Sequence, residues 1–302
     1  MLSNDDVSAR ARRLGRSIEP LAANVYFAQE CHEGYTALGF SASPGDIGGL
    51  QLPDGVAYFT SRGACMGQVP GEIVAMSFGV FNPVAVVPAV TAGWQITDRA
   101  SILVAREHGA VASLERMLGD SPSGLERATA ILQRAAAAAH GQGRGLFSGL
   151  LSLGYPGTPV GDLWRAADLI REHRGDSHVI AWVGACLTPI EIGLLTELFW
   201  GIAPKSYIFS RAWSVAQVEE TWAALEARGF IGDGALTDAG RAFREAVEYA
   251  TDMQERSIIE AIGDDLDELC SYLDPWAQAI RDANGYPKAA GQITRRAAPD
   301  AS

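Results

Sequence analysis

Thr188-Pro189-Ile190-Glu191 begins, and Leu236-Thr237-Asp238-Ala239-Gly240 ends, the stretch whose layout decides the fold. Thr188 and Glu191 stand at capping-box spacing with Pro189 at the first helical position, so a helix starts there and Glu191 serves as its cap. Trp213-Ser214 opens a second helix running to Arg228, with Val218, Trp222 and Leu225 on one apolar face. The segment Ala224-Leu225-Glu226-Ala227-Arg228-Gly229-Phe230-Ile231 leads into a Gly-rich turn, Gly232-Asp233-Gly234-Ala235, and then "LTxxG". The second helix carries Glu219, Glu220 and Glu226 against Arg228 alone, and the turn has no Lys or Arg.

That layout resembles the helix-turn-helix and wing of MarR-type regulators. The resemblance implies an all-α fold with small β-wings. A groove-reading helix draws most of its affinity from Lys and Arg on phosphates, and here the scaffold comes without that charge. The whole chain agrees: 302 residues carry a net charge of −12, which weighs against specific DNA as a partner without ruling out a local basic patch. With 48% hydrophobic and 20% charged residues, it buries a real core and is long enough for two domains or one domain duplicated. Cys31, Cys65, Cys186 and Cys270 are scattered with no C-x-x-C, as expected of reduced thiols in a cytoplasmic protein. The N-terminal SNDDVSARARRLGR lacks the apolar region of a signal peptide. Ile73 to Trp94 is apolar enough to imitate a membrane span, but Gly79, Pro83, Pro88 and Gly93 break it into two buried elements with a bend. No membrane is expected as a partner.

Helical periodicity dominates elsewhere. Helices are expected at Asp5–Phe27, bent near Pro20, and at Gln29–Leu38, Thr97–Leu118, Leu125–His140, Val160–His173, Ser177–Cys186, Pro189–Trp200, Ser214–Arg228, Ala239–Ile262 and Asp264–Ala283, with residues 41–55 as a loop. The Gly- and Pro-rich residues 141–159 read as a linker. The expected organisation is an N-terminal half at 1–140, a C-terminal half at 160–285 and a disordered tail at 286–302. The halves echo each other: Gly63-Ala64-Cys65-Met66 and Gly184-Ala185-Cys186-Leu187 lie 121 residues apart. Phe78 meets Phe199 and Pro83 meets Pro204 at that offset, and Trp94 and Trp213 are 119 apart. The spacing predicts a tandem winged helix that imitates, in one chain, the MarR dimer.

The densest polar cluster is Arg171-Glu172-His173-Arg174-Gly175-Asp176-Ser177-His178. His173, Asp176 and His178 can form an acid–base set or ligate a metal. The same residues also suit a corner between helices: Gly175 beyond one C-terminus, Asp176 or Ser177 as the next N-cap, and Arg171, His173 and Arg174 against the helix dipole. A second group is Glu30, His32, Glu33, Tyr35, Tyr58, Arg62 and Asn82. Arg62 sits between apolar neighbours, so it needs an anionic ligand or a partner such as Glu30 or Glu72. Gly141-x-Gly143-x-Gly145 lacks the strand and helix of a phosphate loop, and Asp264, Asp265, Asp267 and Glu268 read as a solvated helix face.

The motif L-x-R-E-H-R-G-D-x-H ahead of the winged helix resembles the actinobacterial SalK-like helix-turn-helix family, found beside antibiotic biosynthesis genes. Tyr26-Phe27-Ala28-Gln29-Glu30, Tyr35-x-x-Leu38-Gly39, Tyr58-Phe59-x-x-Arg62-x-Ala64-x-x-Gly67, Phe78-x-x-Phe81-Asn82-Pro83 and Trp94 extend it over about residues 8–285. The resemblance implies the fold and the setting, and supplies no reaction. The resulting expectation is a small-molecule-binding winged-helix protein of secondary metabolism, monomeric or homodimeric, that has lost DNA binding. Its ligand, anionic or aromatic, would sit between the halves. Arg174, Arg62, Tyr58, His32, Tyr35 and Asn82 would hold it, and His173, Asp176 and His178 would supply any acid–base chemistry. No cofactor or metal is assigned. The alternative is a MarR-like transcriptional regulator in which Arg10, Arg12, Arg13 and Arg16 contact phosphates.

Overall fold

In the computed structural model, which describes residues 2–288, Ser3 and Asp6 cap each other's backbone and start α1 (Asn4–Ala23). That helix continues through Pro20 into a tight turn at Asn24–Tyr26. α2 (Gln29–Ala37) follows. Residues 41–55, expected as loop, contain a hairpin of β1 (Asp46–Ile47) and β2 (Leu50–Gln51), with Ile47 opposite Leu50. α3 (Gly55–Gly63), α4 (Gly71–Ser77), α5 (Pro83–Ile96), α6 (Arg99–Leu118) and α7 (Leu125–Ala137) come next. Asp54, Asn82 and Asp98 start α3, α5 and α6 by accepting first-turn N–H groups, the usual work of an N-cap. The apolar run Ile73–Trp94 thus falls in two short helices with a bend at residues 78–82. Among the described residues no single helix is long and apolar enough to cross a membrane.

Residues 141–159 are not an open linker. They contain α8 (Gly145–Leu151), whose Leu146, Phe147 and Leu150 are buried. The next element corrects the expected corner. α9 (Pro159–Gly184) runs unbroken for 26 residues, straight through Gly175 and Asp176. A mid-helix glycine costs roughly 1 kcal/mol, and α9 outweighs that by packing against α1, α6, α7, α8 and α13 at once. Asp176 does not cap its own chain; it accepts the Phe147 N–H of α8 at 3.0 Å.

A helix-turn-helix module follows: α10 (Pro189–Phe199), α11 (Ser206–Phe209), α12 (Val215–Ala227), a small hairpin of β3 (Ile231–Gly232) and β4 (Ala235–Leu236), then α13 (Asp238–Gln254). Capping boxes at Thr188/Glu191 and Ser214/Gln217 begin α10 and α12. Thr237 caps α13 by accepting the Gly240 N–H, and a Cβ on Gly240 would stand 2.0 Å from the Phe230 carbonyl oxygen, which explains the "LTxxG" signature. The expected single helix Ala239–Ile262 is broken at Glu255, where α13 gives way to α14 (Arg256–Ile262); α15 (Leu266–Asp282) ends the helical chain.

Two apolar cores form. The larger gathers side chains from Ala11 to Ile170 and takes in Ile258 to Ile280 from α14 and α15. The smaller lies in the helix-turn-helix module, Ala181 to Val247, with Val80 and Val179 packed on it. The cores therefore part along α9 and α13 rather than at 141–159, and α14 and α15 return to the N-terminal body. The internal echo holds as far as Gly63 and Gly184, each the last residue of a helix, and Phe78 and Phe199, each at a helix end. Beyond that it stops. Trp94 lies inside α5 while Trp213 precedes α12, and the residues 120 positions before β3 and β4 lie within α6. Of the expected tail, 289–302 fall outside the described residues, and Tyr286 sets its ring edge-on to Phe27 at 6.0 Å.

Candidate functional site

Because α9 passes between both cores, its polar residues point to different neighbours in i, i+4 pairs. Glu172 and Asp176 face the N-terminal body. Glu172 accepts from Arg62 Nε (2.9 Å) and Nη2 (2.8 Å), Arg171 Nη1 (2.9 Å) and Tyr26 Oη (3.0 Å). Burial acts to raise its carboxyl, but Arg62 and Arg171 overcome that and hold it well below the usual carboxylate range. Arg62 also donates to Tyr58 Oη at 3.2 Å and lies over the Phe78 ring at 4.5 Å. Its partner is thus Glu172, not Glu30 or Glu72; Glu30 pairs with Arg116. Burial pushes Asp176 up to about 7, against the Phe147 N–H that favours its charged form.

Arg174 and His178 face α13. Arg174 lies 2.6 Å from Glu248 and 2.8 Å from Asp252. His178 Nδ1 is 3.1 Å from Thr251 Oγ1, and burial, with Arg244 nearby, lowers its imidazole to about 4. His173 is buried, with Nδ1 2.8 Å from Glu255 and its ring edge-on to Phe147. His173 and Asp176 thus both border Phe147 of α8 while His178 meets Thr251 of α13, each with its own protein partner, and among the described residues no group of three or more His, Cys, Asp or Glu is placed to hold a metal.

Three of the expected N-terminal residues do converge. His32 and Tyr35 on α2, Tyr58 and Ser61 on α3, and Val25 and Tyr26 in the turn between α1 and α2 line a pocket that Ser41, Ser43 and Pro53 cover. As folded it holds little more than one water, about 10 Å³, and reaches about 300 Å³ only when the open solvent at its mouth is counted. His32 is held by Gln51 of β2 (3.0 Å) and the Tyr26 carbonyl (3.1 Å), so the hairpin is tied to the pocket wall. Burial pushes the Tyr26 and Tyr35 phenols well above their ordinary range, Glu172 adding to the first and Cys31 to the second, and both remain neutral donors. Tyr58 Oη accepts from Arg62. Arg62 and Glu172 do not line the pocket; they lie behind it, bonded to Tyr58 and Tyr26. Asn82 is elsewhere: it caps α5 and donates from Nδ2 to the Ala212 carbonyl at 3.0 Å.

Sequence reasoning missed Glu172, Tyr26 and Ser61. Glu172 stood inside the polar cluster already singled out, and a buried Arg62 was signal enough that a carboxylate had to meet it; the partner lies 110 residues away. The helix-turn-helix surface is acidic as expected. Across residues 181–247 eight acidic residues face five basic ones. Glu219, Glu220 and Glu226 are exposed on α12, Lys205 is bound to Glu219 at 2.6 Å, and Arg228 is bound to Glu191.

No curated protein and no solved structure matches the chain. A helix-turn-helix family profile matches residues 11–287, which takes in the pocket, α9 and the acidic module alike, and by that match the chain belongs to this helix-turn-helix family.

Proposed function

We propose that this member of the family binds a small molecule and no longer reads DNA, with MarR-like ancestry and, by its SalK-like motifs, a place in secondary metabolism. The observation that carries the reading is the pocket at Tyr26, His32, Tyr35 and Tyr58, with Arg62 and Glu172 behind it. Edge-on rings at Tyr26 and Tyr58, 5.2 Å apart, offer an apolar wall, and the Tyr58 hydroxyl backed by a guanidinium offers a donor. That combination suits an aromatic or anionic molecule. His173, Asp176 and His178 are no part of this pocket, so the proposal is binding rather than catalysis.

The acidic face of α12 supports the loss of DNA binding. So do three of the four N-terminal arginines the regulator reading needs, Arg10, Arg12, Arg13 and Arg16: Arg12 is bound to Glu245 and Asp252, Arg13 to Asp267 and Arg10 to the Gly263 carbonyl. Native mass spectrometry of freshly purified protein is the test. A bound organic molecule, lost in Tyr58→Ala while the fold persists, is the expected result. A site-specific duplex shift at nanomolar protein and physiological salt would overturn the proposal.

A further inference from the structure

The turn that separates α4 from α5 also grips the helix-turn-helix module at one point. The Asn82 N–H donates to the Arg211 carbonyl at 2.9 Å, Asn82 Nδ2 donates to the Ala212 carbonyl at 3.0 Å, and Trp213 Nε1 donates to the Val80 carbonyl at 2.9 Å. The gripped residues directly precede Ser214, the N-cap of α12. Ala212 sits at φ 64°, a left-handed conformation that a residue with a Cβ avoids by about tenfold in population. A local bond from its N–H to the Phe209 carbonyl (3.2 Å) and the three bonds with residues 80–82, at Ala212 and on either side of it, hold it there. The same turn reaches the pocket: the Phe81 ring lies 5.9 Å from Tyr58, and the Arg211 guanidinium lies over Phe81 at 4.6 Å and over Tyr207 at 4.2 Å.

We propose that residues 78–82 are a latch between pocket and module. Latched, they hold Ala212 in its strained form and fix the entry of α12. A molecule that displaces Tyr58 shifts Phe81, loosens the bonds at Asn82, lets Ala212 relax and changes the orientation of α12. This rests on the pocket proposed above, and it supplies that pocket with an output. Two arrangements of one strained turn give the discrete states that coupling between sites requires; position between the sites alone would not.

Hydrogen exchange of the full chain, read by mass spectrometry over residues 210–217, tests both ends of the latch. Asn82→Ala is expected to speed exchange there by about tenfold and to leave α7 unchanged. Adding Ala212→Gly, which accepts the left-handed conformation without strain, should recover most of that loss. Tyr58→Ala, which touches neither Asn82 nor Ala212, should speed the same segment several-fold; Tyr58→Leu serves if the alanine variant does not fold. Unchanged exchange in Asn82→Ala, or no recovery on adding Ala212→Gly, overturns the latch. Acceleration by Asn82→Ala without acceleration by either Tyr58 variant overturns its connection to the pocket. Failure of the pocket proposal reads differently: no bound molecule is found, and the exchange results stand as measured.

Discussion

Arg62→Ala should cost about 3–4 kcal/mol of stability at pH 7. The guanidinium makes two bonds to Glu172, at 2.9 and 2.8 Å, and the Glu172 side chain is only 2% exposed. Removing one partner of a buried pair costs roughly 3–5 kcal/mol, because the charge left behind has lost its compensation. Arg171 and Tyr26 still reach Glu172, which sets the loss toward the low end of that range, while the lost contact with Phe78 adds about 0.5–1 kcal/mol. Urea unfolding of the wild type, Arg62→Ala, Glu172→Gln and Arg62→Met/Glu172→Met makes the comparison. The double variant should recover part of the loss, since a well-packed apolar pair can replace a buried ion pair at little cost. The pH dependence has a fixed sign. Glu172 is held below its unfolded value, so its stabilisation is complete above about pH 5 and is lost as the pH falls through the ordinary carboxylate range and below. The gap between wild type and Arg62→Ala should therefore narrow from pH 5 to pH 3. A cost under about 1 kcal/mol at pH 7, or a gap indifferent to pH, would refute the argument.

Gly175→Ala should raise stability by about 0.5–1 kcal/mol, because the added Cβ meets only Glu172 Oε2 at 3.5 Å within a continuous helix; a fall in melting temperature would mean the backbone turns there after all. Asp176→Asn keeps an acceptor for Phe147 and removes a carboxyl raised to about 7, whose burden grows as the pH rises from 4 to 7, so the variant should gain on the wild type over that window, by up to about 4 kcal/mol, and then hold level above it. An advantage that shrinks with rising pH in chemical denaturation would contradict this. Gly240→Ala forces backbone apart at the Phe230 carbonyl and should destabilise the helix-turn-helix module by about 2 kcal/mol or more, seen as faster exchange in α12 and α13; wild-type exchange there would show that the hairpin yields freely.

The module was legible because its signals are local. Thr188 and Glu191, Ser214, and Thr237 with Gly240 each fix a helix end within four residues, and the buried face at Val218, Trp222 and Leu225 follows from helical spacing. His32, Tyr35 and Tyr58 were legible as polar and aromatic groups in one neighbourhood of the chain. What could not be read was which groups meet. Arg62 finds its carboxylate on α9, and the 41–53 segment covers the pocket through Gln51 and His32, both pairings set by tertiary packing. Gly175 and Asp176 misled for a related reason. A glycine followed by a good N-cap is a stop signal when the helix is weighed alone, and here the neighbouring helices decide.

The crowding of charge in Arg171-Glu172-His173-Arg174-Gly175-Asp176-Ser177-His178 then has a structural cause. A helix buried on several sides cannot turn its polar residues to water, so each must find a partner on a neighbouring element. Glu172 takes Arg62 of α3, Asp176 takes the α8 backbone, His173 takes Glu255, and Arg174 takes Glu248 and Asp252. Glu248 in turn holds the buried Arg244, which donates to Thr196 of α10. An unbroken series of bonded side chains and backbone thus runs from Arg62 of α3, across α9, to the first helix of the module. The density of titratable groups that looked like a reaction centre in the sequence is what a helix buried between two apolar cores requires, since each charged group on it is bonded to a neighbouring element.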